Sequence, residues 1–108
     1  MSIARLRRHK DVLKRLAKAK PSVAKRLLKD ASSDLLKLLS ECSLNVLKGS
    51  VPLSTKQKKQ LCKHKAKLRK IANKKTSQKK KRAILMRGGF LGTLLSPIIG
   101  ILGSILSQ

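Results

Sequence analysis

The chain predicts a small all-α protein, and three observations carry that prediction. Apolar residues recur at three- and four-residue spacing through the first 71 positions, helix-capping residues stand where those stripes begin, and Pro21, Gly49 and Pro52 fall between them. The expected architecture is a small basic bundle of about four helices, then a basic linker and an apolar C-terminal helix. Ile3, Leu6, Leu13, Leu16 and Ala17 give a first amphipathic helix across 3–20. Pro21 disfavours a helical Lys20 and suits a first helical position, so a second helix follows over 22–29 with Ala24, Leu27, Leu28 and Ala31 inward. Ser32, Ser33 and Asp34 supply capping oxygens and a negative charge at the start of a third helix, which Gly49 stops. Its stripe of Leu35, Leu39, Cys42 and Val46, widened by Leu36, Leu38 and Leu47, is the densest core element. Ser54 and Gln57 have capping-box spacing and open a fourth helix to about Lys75. That helix buries a thin seam, Leu61, Leu68 and Ile71, with His64 as a boundary residue among them.

Charge defines the partner. The 108 residues hold 28 Lys and Arg against four acids, a formal net charge of +24. A surface of one sign repels itself and attracts phosphates, so the partner is a polyanion, either nucleic acid or an anionic membrane. The acids Asp11, Asp30, Asp34 and Glu41 all lie in the first 41 residues, which excludes carboxylate chemistry from the remainder and argues against an enzyme. No cofactor is implied, and Cys62 with His64 two positions on is too weak a pattern for a metal site. Cys42 and Cys62 read as small thiols in helices. Phe90 is the single aromatic residue, leaving no platform for stacking single-stranded bases, and Lys outnumbers Arg, which favours contacts to a duplex backbone over base reading. The candidate contacts are Lys58, Lys59, Lys63, Lys65, Lys67, Arg69, Lys70, Lys74, Lys75, Lys79, Lys80, Lys81 and Arg82, supported by Arg5, Arg7 and Arg8. Lys79 to Arg82 also form a nuclear-import-type cluster.

Composition divides the chain into a basic helical domain, 1–75, a basic linker with a Gly-Gly site, 76–89, and an apolar tail, 90–108. Residues 90–106 carry no charge and, as a helix, would extend roughly 25 Å, short of a ~30 Å hydrocarbon core unless extended back to Ala83. Gly92, Ser96, Gly100 and Ser104 form a strip of small residues that allows close helix approach, and Pro97 interrupts it. Membrane anchoring, membrane perturbation after release, binding to a partner, and docking on the amino-terminal bundle are the readings of this tail. Glycine's lack of Cβ lets Gly88-Gly89 enter a narrow groove, as in a protease site or a hinge.

Met86-Arg87-Gly88-Gly89, followed by an aliphatic tail containing Gly and Pro, resembles the carboxyl-terminal part of the adenoviral core protein mu precursor, protein X. Similar small proteins occur in Polinton (Maverick) elements and adintoviruses. The resemblance covers about 25 residues closely. It implies that a viral cysteine protease cuts after Gly89, before Phe90, with Met86 as the apolar anchor. It implies a virion core protein of the host nucleus as well. The adenoviral mature peptide is short and Arg-rich, whereas this body is Lys-rich and patterned for helices. The leading expectation is a DNA-binding core protein precursor that condenses packaged duplex DNA without sequence preference and has a removable tail. The alternative is a membrane-active or membrane-anchored protein, with its basic flank on anionic lipid. A ribosomal or chromatin protein with a structural tail shares the charge but has no use for a Gly-Gly seam. Self-association is left open.

Overall fold

A computed structural model describes residues 3–88 and 90–106, with side chains for 4–87 and 90–100. Among the described residues the chain is all-α, with eight helices and no strand. They are α1 (Ile3–Arg8), α2 (Lys10–Lys18), α3 (Pro21–Lys29), α4 (Ser33–Leu47), α5 (Thr55–Cys62), α6 (Lys65–Ala72), α7 (Gln78–Gly88) and α8 (Leu91–Leu106).

Local signals set most of the boundaries. Pro21 occupies the first turn of α3. Ser32 Oγ accepts from the Leu35 amide at 3.1 Å and opens α4. Gly49 turns the chain out of α4 at φ 76°, a backbone conformation that a Cβ would strain. Ser54 and Gln57 close a reciprocal capping box, with bonds of 3.1 and 2.9 Å.

The expectation of about four helices is corrected by two breaks and one addition. The first helix stops at Arg8 and resumes at Lys10, because His9 turns towards α4, where its Nε2 lies 2.7 Å from Asp34 Oδ2. The fourth breaks at Lys63-His64. His64 leaves helical geometry there, at φ −112° and ψ 17°, and its ring stacks on Phe90. The addition is α7: the stretch expected to be a solvated linker is helical from Gln78, since Ile84 and Leu85, three and four positions beyond Lys81, continue an apolar face into the basic run.

α4 is the centre. Leu35, Leu36, Leu38, Leu39, Cys42 and Val46 are buried on it, more than one stripe, because α1, α6, α7 and α8 all pack around it. Ser43 is buried there too, its hydroxyl satisfied by the Leu39 carbonyl at 3.0 Å. Burial in this helix pushes the Cys42 thiol up to about 12, so it stays protonated core filling, whereas Cys62 is exposed on α5. Leu6, Leu13 and Leu16 from α1 and α2, Leu28 from α3, Leu61 from α5, Leu68 and Ile71 from α6, and Leu85 from α7 complete the wall. Ile3, placed in the first stripe by its spacing, lies outside the residues whose side chains are described.

The tail belongs to the same core. Phe90, Leu91, Leu94, Leu95 and Ile98 are all buried, Pro97 with them, and α8 packs chiefly on α2 and also on α4 and α5. A continuous helix from Ala83 to Leu106 does not form, since α7 ends at Gly88 and α8 starts at Leu91 after a bend of 100°. No single described helix is long and apolar enough to cross a membrane. The strip of small residues makes a close packing contact at Gly92. A Cβ on Gly92 would stand 3.2 Å from the Ala17 carbonyl oxygen of α2, whereas Ser96 and Gly100 are exposed. The Ser104 side chain lies outside the described residues. The Cα radius of gyration, 12.7 Å, matches the roughly 13 Å of a chain this long folded as one unit.

Candidate nucleic-acid interface

From Lys56 to Lys80 every Lys and Arg is exposed, and no acid occurs on this stretch. The reason is local. α5 gives the core only Leu61, and α6 gives it Leu68 and Ile71, so the rest of each helix circumference faces outward. Lys58, Lys59, Lys63, Lys65, Lys67, Arg69, Lys70, Lys74, Lys75, Lys79 and Lys80 are thus brought to a surface of one sign. Lys56 joins them. A second exposed set, among them Arg7, Lys10, Lys14, Lys18, Lys25 and Lys29, lies on α1, α2 and α3.

The remaining candidate cations have partners inside the fold. Arg5 pairs with Asp34 at 3.2 Å and with Glu41, and Arg8 reaches Asp34 at 3.2 Å, so two of the four acids tie α1 to α4. Arg82 caps the C-terminus of α3, its Nη1 donating to the carbonyls of Leu28, at 3.0 Å, and Lys29, and its Nη2 to that of Ala31 at 2.9 Å. Lys81 is buried, its Nζ 3.0 Å from Ser40 Oγ. Half of the import-type cluster is therefore engaged in structure, while Lys79 and Lys80 are exposed. Spacing in the basic run did carry the signal, because Lys81 lies one turn before Leu85 on the same face.

The bond with His9, followed by Arg8 and Arg5, holds the Asp34 carboxyl below its ordinary 3.8, against the opposing effect of desolvation. A lowered folded-state value stabilises the fold fully above the unfolded value, and the contribution is lost as pH falls through the folded one. The urea midpoint should therefore stay level from about pH 7 to 5 and drop below about pH 4. Asp34→Asn should start lower and flatten that drop. An equally steep drop in the variant would remove Asp34 from the pairing.

Residues on both sides of the seam pack into the fold. Met86 is half-buried against the core, Arg87 is exposed, Gly88 ends α7, Gly89 lies outside the described residues, and Phe90 is 1% exposed. Phe90 also stacks on His64, ring centroids 5.2 Å apart, so His64 is a packing residue between α6 and the start of α8. A protease that requires an extended strand has first to unwind the end of α7 and expose Phe90, at about 2–3 kcal/mol for that side chain alone. No group of three His, Cys, Asp or Glu gathers as a metal site among the described residues. No match was found among protein families, curated proteins or solved structures.

Proposed function

We propose that the protein is a non-enzymatic, sequence-independent DNA-binding core protein of a virus-like element, acting in the virion core and host nucleus on packaged duplex DNA. The observation that carries this reading is the acid-free exposed surface from Lys56 to Lys80. Ammonium groups there can replace counterions along any duplex backbone, and no single contact is essential because the phosphates are equivalent. The one aromatic ring is in the core, which argues against a base-stacking single-strand mode. The second exposed cationic set on α1 to α3 adds the neutralising charge that condensation requires. Two unrelated 30-bp duplexes are expected to bind within about two-fold of each other, as phosphate-only contacts require. A preference of more than about 100-fold for one of them would overturn the proposal, because it would demand base readout.

Processing after Gly89 by a viral cysteine protease, suggested by Met86-Arg87-Gly88-Gly89, is part of the same proposal. With Phe90 buried, scission in this reading takes place during synthesis or assembly, or after local opening of α8. Membrane action has less support, because Leu91, Leu94, Leu95 and Ile98 of α8 are already buried in the core.

A further inference from the structure

A cleft of about 330 Å³ opens between α4 and the turn joining α6 to α7. Its floor is apolar, from Leu44 and Ala72, and its charged groups are Arg5, Lys37, Lys74, Lys81 and Glu41. We propose that this cleft is a phosphate-binding pocket in which Lys81 is the buried donor and Lys37 and Lys74 are the rim.

Lys81 is 8% exposed, and its one partner among the described residues is Ser40 Oγ at 3.0 Å. Ser40 gives its own proton to the Leu36 carbonyl at 2.9 Å, so it can only accept from Lys81. An ammonium has three donors, and two of Lys81's remain for an anion. No carboxylate supplies one, because Glu41, the only acid lining the cleft, is paired with Arg5. Burial accordingly holds the Lys81 pKa below the usual lysine value, and an anion in the cleft would restore the charged form. A doubly charged phosphate monoester or hydrogen phosphate offers more anionic oxygen to Lys81, Lys37 and Lys74 than the singly charged diester of a DNA backbone. The volume, near the lower end of the ~300–1,000 Å³ usual for small-ligand sites, accommodates a phosphate with a small substituent.

The test is amide NMR of the full chain titrated with inorganic phosphate, with Lys81→Met against Lys63→Met, which removes the same charge from the open surface. Saturable shifts at Ser40, Ala72, Thr76 and Gln78 are expected, with the apparent Kd raised about ten-fold or more by Lys81→Met and less than about two-fold by Lys63→Met. Lys37→Gln and Lys74→Gln, both exposed and safe for folding, should each weaken binding about three-fold, guarding against a Lys81 variant that repacks. Shifts spread evenly over α5 and α6, or equal responses of the Lys81 and Lys63 variants, would overturn the pocket. A short duplex in the same titration separates the sources. Cleft shifts that persist when duplex is bound assign the site to free phosphate monoesters, and displacement by duplex assigns it to backbone phosphates.

Discussion

A chain ending at Gly89 is expected to lose its cooperative thermal transition and yet keep its affinity for duplex DNA. The cut removes Phe90, Leu91, Leu94, Leu95 and Ile98, all buried against α2, α4 and α5. At about 1.5–3 kcal/mol for each large side chain, their loss is comparable to the 5–15 kcal/mol that holds an ordinary domain together. Charge is untouched, since every Lys and Arg lies at or before Arg87 and every acid at or before Glu41. The product is a polycation of undiminished charge that can follow a phosphate backbone without keeping a shape. Processing of the tail and persistence of a folded basic module are thus in conflict, and the conflict is resolved if scission is what loosens the body on DNA. Circular dichroism melting and DNA titration of residues 1–89 check both halves. A sigmoidal transition within about 5 °C of the full chain, a shift that corresponds to only ~1 kcal/mol, would show the tail to be dispensable to the fold.

Replacing Lys58, Lys59, Lys63 and Lys67 together by Gln should lower duplex affinity about 10²- to 10³-fold near 0.1 M salt, because each lost phosphate contact removes close to one counterion. The fold should not suffer. All four side chains are exposed, Gln matches Lys in helix propensity, and the row Lys59, Lys63 and Lys67 no longer repels itself, so the melting temperature should hold or rise. Arg82→Gln should do the reverse, lowering the melting temperature by exposing the C-terminus of α3 and leaving DNA affinity within about two-fold. Unchanged affinity in the quadruple variant would mean that the outer faces of α5 and α6 are not where DNA sits.

Local chemistry in the sequence was enough to predict the α4 stripe, the Ser32 cap, the Ser54–Gln57 box and the Gly49 turn, since each depends on residues within one or two turns of each other. What was not legible depended on partners far along the chain. His9 breaks the first helix to meet Asp34, 25 positions away, and Arg82 caps a helix that ends more than fifty positions earlier. Lys81 shares a face with Leu85 one turn on, but its partner Ser40, 41 positions away, was not legible. The apolar segment from Phe90 posed the hardest choice. Membrane, partner and core all answer the same hydrophobicity, and only the face that Leu13, Leu16 and Ala17 offer on α2, with Gly92 admitting the Ala17 carbonyl, selects the core. Among the candidate contacts, exposure was legible wherever a helix had few apolar residues, as on α5 and α6, because so little of each helix can be buried.

The salt dependence of duplex binding by the intact chain is the most direct measurement of whether this surface engages phosphates. With some seven to ten phosphates neutralised at about 0.9 counterion each, the logarithm of the association constant should fall linearly against the logarithm of salt concentration with a slope of roughly −6 to −9. A slope shallower than about −2, or no binding in dilute buffer, would mean that the lysines of α5 to α7 serve some purpose other than DNA.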